Sequence, residues 1–221
     1  MKILFFDIET TGLPSHETQN GNVAENFEQW PRIWQISALM VGPDNPASDP
    51  LLWANHYIKP PAEMGKEWIV DDGNPIAVRH EMVECYGIAP AESFPIISRA
   101  MHLADLIVCH NLAFDSRVFE SECYRLIADG HVCQLPPKKS EGKPKLCTMT
   151  TSTKFCAIPK KEGKGLKWPS LQELHEVLFK EQYKGAHDAL SDVRATARCF
   201  WELVRLGVID LEKAVNTEPK N

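Results

Sequence analysis

Phe5-Phe6-Asp7-Ile8-Glu9-Thr10-Thr11-Gly12, close to the N-terminus, is the stretch around which the rest of the chain is organised. Lys2 to Phe6 is a short apolar run with aromatics and a β-branched residue, the pattern of a strand buried on both faces, and it runs directly into two acids. Side chains alternate across a strand, so Asp7 and Glu9 project to one side while Ile8 points to the other. Carboxylates at that spacing are close enough to share a divalent cation, and such hard oxygen ligands suit magnesium or manganese. A strand end running into solvent, with Thr11-Gly12 as its turn, would also carry acids. Further carboxylates downstream decide between the two.

With 221 residues, 43% of them hydrophobic and 24% charged, the chain is long enough for one well-filled core carrying sizeable insertions. Lys2 leads into a strand rather than a signal-peptide core, and the longest apolar run is only a few residues, so the expectation is a cytoplasmic protein without a membrane segment. Seven cysteines without a Cys-x-x-Cys pair are expected to be reduced and mostly buried. His131, Cys133, Cys147 and Cys156 fit no standard zinc spacing. The net charge of -6 argues against a generally basic nucleic-acid-binding surface. Between Lys138 and Lys167, however, stand nine lysines and two glutamates, a local +7 that leaves -13 for the remainder. Such a segment is either a polyanion footprint or a solvated surface loop.

Leu13-Pro14 opens a polar stretch to Pro31 in which Val23, Phe27 and Trp30 are the apolar anchors, read as a surface loop with one helical turn. Ile33 to Val41 and Leu51 to Lys59, stopped by Gly42-Pro43 and Pro60-Pro61, form an antiparallel hairpin, since the linker between them is too short for a crossover helix. Pro75 opens a helix with Ile76, Val78, Met82 and Val83 as its stripe, ending at Gly87, and a second helix runs from about Ser93 to Leu103. Leu106 to Cys109 is again a short apolar strand, followed by His110-Asn111 and a helix from about Ala113 to Ile127. Lys145 to Met149 reads as a further strand, Ser170 as the N-cap of a helix carrying Leu171, Leu174 and Leu178, and Ala189 to Leu206 as the last strong helix, before a frayed polar tail from about 215. This is an α/β domain with a mixed sheet and the first strand central. Both Asp7-Ile8-Glu9 and the residues after Cys109 lie at the carboxyl ends of strands, where open α/β sheets place their sites.

Asp115 stands at the start of a helix, and Asp188 and Asp192 in the first turn of another, places where an acid is electrostatically favoured in any protein. Convergence is the argument for more than that: Asp7, Glu9, Asp115 and Asp192 can all reach one face, and uncompensated they would repel one another by roughly several kcal/mol, so they need cations. His187 precedes Asp192 by five residues, about 140° around an ideal helix, so both face one site only if His187 lies in the loop before the helix. A loop histidine suits a general base that approaches and leaves a water.

FFDIETTGL (5–13), HNLAFD (110–115) and HDALSDVRAT (187–196) together resemble, in order and spacing, the three motifs of the DEDDh group of 3′-to-5′ exonucleases, the DnaQ-like family that includes polymerase proofreading subunits. The resemblance implies a ribonuclease-H-like fold: a mixed five-stranded sheet with one antiparallel strand, flanked by helices, in a single domain over 1–221 with inserted segments at about 14–31 and 136–168. It further implies that Asp7, Glu9, Asp115 and Asp192 bind two Mg2+ or Mn2+ ions, Asp7 touching both, and that His187 is the general base. Thr10, Thr11, Gly12 and Leu13 match the segment that holds the terminal nucleotide, Leu13 wedging between the last bases, and His110, Asn111 and Phe114 match the substrate side of the second motif. Two ions about 3.5 to 4 Å apart activate a water and stabilise the departing 3′ oxygen, so the implied product is a nucleoside 5′-monophosphate.

The expected substrate is a nucleic acid 3′ end, most readily single-stranded or frayed DNA. An exoribonuclease with the same site is the near alternative, since no residue identifies a reader of the 2′-hydroxyl. A non-catalytic nucleic-acid-binding module using the lysines is the distant one. The tail after Leu206 is short, so a free-standing nuclease is expected and a polymerase partner is not indicated.

Overall fold

The computed structural model describes residues 1–42, 50–61 and 76–216. Its five strands are β1 (Ile3–Thr10), β2 (Ile33–Val41), β3 (Leu52–Tyr57), β4 (Leu106–Cys109) and β5 (Lys145–Cys147). They form one sheet in the order β3-β2-β1-β4-β5. β2 runs antiparallel to β1 and β3, and β4 runs parallel to β1 and β5, so one strand is reversed and β1 is central, as expected, and the reversed strand is β2. Period-two alternation sorts β1 onto two cores. Leu4, Phe6 and Ile8 face one cluster; Ile3 and Phe5 face the other.

The first cluster is covered by α4 (Pro90–Leu103) and α5 (Leu112–Ala128), through Phe94, Ile97, Val118 and Phe119. The second is covered by α7 (Leu171–Phe179) and α8 (Ala189–Arg205), through Leu174, Val193, Phe200 and Leu203. Asp7 and Glu9 share the face of Ile3 and Phe5 by alternation and so lie on the α8 side. Burying a side chain such as Phe200 in place of exposing it contributes about 2 to 3 kcal/mol.

Several elements differ from the sequence expectation. β1 continues through both acids to Thr10, because β2 pairs with it as far as Ile33. The 14–31 segment is not a loop with one turn: it folds into α1 (His16–Asn20), α2 (Val23–Asn26) and a 3-10 turn over Phe27–Gln29, capped by Ser15 and Asn22. α4 begins at Pro90, three residues earlier than expected. β5 stops at Cys147, where α6 (Thr148–Cys156) begins. A short helix not expected from the sequence, α9 (Leu211–Val215), capped by Asp210, stands between α8 and the polar tail. α3 (Ile76–Tyr86) ends at Gly87 as expected, while Pro43, Pro75, the side chains of Ile76 and Val78, and the tail beyond 216 lie outside the described residues. Of the seven cysteines only Cys109, Cys123 and Cys199 are buried. No helix among the described residues is long and apolar enough to cross a membrane.

Candidate metal centre

The parallel ladder between β1 and β4 ends at the pair Phe5 and Val108, so the backbone of Ile8 beyond it has no strand partner on that side. Asp115, in the first turn of α5, comes to this gap, where the nearby backbone N–H groups of Ile8 and of Asp115 itself favour its charged form against the burial that opposes it. On the other face, α8 is fixed at its N-terminus by Asp188, whose carboxylate caps Ser191 (N 3.0 Å, Oγ 2.9 Å) and accepts from Gln35 Nε2 (2.9 Å). Gln35, fully buried on β2 opposite Glu9, also accepts from the Ala189 N–H (3.3 Å) and donates to Asn55 (3.0 Å). Asp188 is thus a cap tied to the sheet, and one turn later Asp192 is presented to β1.

Ligand atoms of Asp7, Glu9 and Asp192 lie within 4.8 Å of one another, as do those of Asp7, Cys109 and Asp115. Asp7 belongs to both groups. The four acids expected from the sequence therefore meet at the carboxyl end of β1, and Asp7 lies between the other three. Burial first, then the charges of Asp115, Asp192 and Glu9, pushes the Asp7 carboxyl well above its ordinary value. Burial pushes Asp115 up to about 7 and raises Asp192 as well. Two buried acids and a half-buried one that resist ionisation side by side form an oxygen-rich cage that a hard divalent cation compensates, so the donor set fits one.

His187 has φ 66° and lies in the loop before α8. Its N–H donates to Asp192 Oδ2 (3.3 Å) while its ring is exposed. Of the substrate segment, Thr10 Oγ1 donates to the Gly12 carbonyl (2.8 Å) and Thr11 Oγ1 accepts from the Arg32 N–H (3.0 Å), which shapes the turn and leaves Leu13 83% exposed. Thr11, Gly12 and Leu13 border a cavity of about 760 Å3 whose far wall is Trp30, Arg32 and Arg125. Asn111 has φ 72°, a left-handed conformation that asparagine tolerates, and caps α5 without a side-chain bond. Phe114 is half-buried beside it.

His110 departs from the expectation of a substrate-facing residue. It is buried, its Nε2 donates to the Pro169 carbonyl (3.1 Å), and its Nδ1 accepts from Thr148 Oγ1 (2.9 Å). Burial drives its pKa down to about 4, so the ring is a neutral tie between β4, α6 and the approach to α7. Two further residues had no motif to reveal them. Cys109 Sγ donates to the His110 carbonyl (3.5 Å) and lies within 4.8 Å of ligand atoms of Asp7 and Asp115, and burial pushes its thiol pKa well up, which keeps the proton on sulfur. Tyr183 Oη donates to Asp192 Oδ1 (2.7 Å), and its ring lies 5.4 Å from that of buried His175, which donates from Nδ1 to the Glu181 carbonyl (2.9 Å) and accepts from Arg198 (3.0 Å). A lone tyrosine in a short interhelical loop has no periodicity to mark it.

No family model matches the sequence, and no curated protein does. Among solved structures, E. coli exonuclease I in complex with a dT13 oligonucleotide is similar with a TM-score of 0.62 at 18% identity, over 92% of this chain and 41% of that one. A 3′-exonuclease solved for its 3′-end-specific recognition of histone mRNA stem-loop is similar at 0.60 and 14% identity, over 94% and 64%. A full-length 3′-exonuclease is similar at 0.59 and 14% identity, over 94% and 83%. The chain thus spans about two fifths of the exonuclease I chain. The sheet order, the reversed β2 and the flanking helices give this chain the ribonuclease-H-like fold of these exonucleases.

Proposed function

We propose that the protein is a metal-dependent 3′-to-5′ exonuclease, a phosphodiester hydrolase that releases nucleoside 5′-monophosphates from the 3′ end of single-stranded or frayed nucleic acid. The observation that carries this reading is the convergence of Asp7, Glu9, Asp115 and Asp192 from β1, α5 and α8 around a shared Asp7. A lone acidic strand end does not require it. The four carboxylates would hold two Mg2+ or Mn2+ ions, which when bound supply Lewis-acid polarisation of the phosphoryl group and an acidified water. His187, exposed on its loop and anchored by its own N–H, takes the proton from the attacking water, which requires a neutral imidazole. Leu13, set out into solvent by the Thr10–Gly12 turn, wedges against the terminal bases, and Asn111 and Phe114 shape the second motif. His110 has no role toward the substrate, because both ring nitrogens are used within the chain.

DNA is the first substrate in this reading, and RNA is a second supported by the likeness to a 3′-exonuclease that recognises an RNA stem-loop. In this reading the chain is one exonuclease domain, and free thiols suit the cytoplasm. The test is a DNA and an RNA single strand of equal sequence, each labelled at the 5′ end and incubated with Mg2+, with and without chelator, beside Asp7→Ala. A ladder shortening from the 3′ end, lost with chelator and in the variant, is the expected result, and the faster substrate assigns DNA or RNA. Binding without shortening of either would replace the reading by the binding module.

A further inference from the structure

The nine lysines between 138 and 167 do not form one surface. Lys143 Nζ donates to the carbonyls of His102 (3.0 Å) and Ala104 (2.6 Å) at the end of α4, Lys138 pairs with Glu120 (3.7 Å), Lys167 pairs with Glu173 (2.6 Å), and Lys145 is desolvated. Lys154, Lys160, Lys161 and Lys164 remain exposed, and among the described residues no ion pair engages them. Three of these stand on a tight hairpin between α6 and α7, closed by Lys160 N–H to Gly165 O (3.1 Å) and Lys167 N–H to Ile158 O (2.9 Å). Gly163 (φ 78°) and Gly165 (φ 104°) let the chain turn back there.

Trp168 follows this hairpin directly and is 64% exposed, with Leu166 and Phe155 also in solvent. Its position is not loose. The next residue, Pro169, is buried, and its carbonyl is held by His110, whose chain neighbour Cys109 belongs to the Asp7–Asp115 group. One exposed indole is ordinary; an indole next in the chain to several exposed lysines, one residue from a carbonyl that His110 ties to the acidic site, on a chain of net charge -6, is not. A flat aromatic face binds any unpaired base, and ammonium groups around it meet the phosphates on either side. Glu162 is the one acid on the hairpin.

We infer that Trp168 and the Lys160, Lys161 and Lys164 hairpin form the binding surface for the single strand upstream of the 3′ terminus, the indole stacking on one base and the lysines contacting phosphates. This rests on the exonuclease reading for the position of the 3′ end, but it is tested without turnover. Binding of labelled dT and rU single strands is measured by fluorescence anisotropy in chelator, so that nothing is cleaved. Trp168→Ala weakens binding about 5- to 100-fold and abolishes the quenching of protein fluorescence by the strand, while Trp168→Phe, which keeps an aromatic face, recovers most of the affinity. The triple change of Lys160, Lys161 and Lys164 to Gln lowers the slope of log K against log salt by about 2. Trp168→Ala binding within about twofold of the unchanged protein, with an unchanged salt slope in the triple variant, overturns the surface whatever the activity. Loss of binding in these variants from a protein that cleaves neither strand keeps the surface and removes the exonuclease reading instead.

Discussion

Tyr183 controls the orientation of Asp192 through a single hydroxyl. With Oδ1 occupied by Tyr183 and Oδ2 by the His187 N–H, the carboxylate of Asp192 is held in one rotamer facing Asp7. Partners of this kind, one bond removed from a metal, typically change affinity by about 10- to 100-fold when removed. Tyr183→Phe keeps the ring against His175 and deletes only the donor, so the expected outcome is at least a roughly tenfold weaker Mn2+ titration by electron paramagnetic resonance, with an unchanged circular dichroism spectrum. Equal Mn2+ affinity would reduce Tyr183 to packing. His110 shows the opposite case: its place in the HNLAFD motif suggests contact with substrate, whereas burial and two internal bonds make it a structural tie.

At the scale of elements, the 14–31 segment is held on α5 by charges in addition to its buried Val23 and Trp30. Glu122, 1% exposed, accepts from Arg32 Nε (2.8 Å) and the Ile33 N–H (3.0 Å) and pairs with Arg125 (3.3 Å). Arg125 in turn donates to the carbonyls of Phe27 and Trp30 (2.6 Å each), Arg117 donates to that of Gln19, and Phe27 stacks on Tyr124. This clamp gives the cavity beside Leu13 its far wall. Glu122→Ala leaves two guanidiniums without their shared carboxylate, and a broken buried pair of this kind costs about 3 to 5 kcal/mol. Urea denaturation measures that loss, with faster proteolysis within 14–31 expected alongside. A destabilisation under about 1 kcal/mol would show that the clamp is not what holds the segment.

At the scale of the whole molecule, the acidic site lowers stability when no cation compensates it. Asp115 rises from 3.8 to about 7, and Asp7 and Asp192 rise with it. A carboxyl with a raised folded pKa contributes stability below its unfolded value and loses it as pH rises through the folded one, so these groups destabilise the metal-free protein progressively from about pH 4 to pH 7. His110, lowered to about 4 from 6.5, acts oppositely, its contribution being lost as pH falls across that interval. Above about pH 7 a cation binding only the folded state at about 100 times its dissociation constant adds about 2.7 kcal/mol, a rise of about 5 to 10 °C in Tm. Calorimetry with Mn2+ against chelator tests this, and a shift that persists in Asp7→Asn would place the cation elsewhere. The amino-acid sequence alone determined the sheet strands, the antiparallel hairpin of the second and third of them, the helix from Ala189 and the positions of the four carboxylates, because strand alternation, turn residues and capping are local properties legible in short windows. Only the tertiary structure decided what the polar segments and paired side chains do: the 14–31 clamp, Tyr183 on Asp192, the burial of His110, and which lysines remain unpaired. Each of these depends on partners distant in the chain, as when Arg32 meets Glu122, and no local pattern encodes such a meeting.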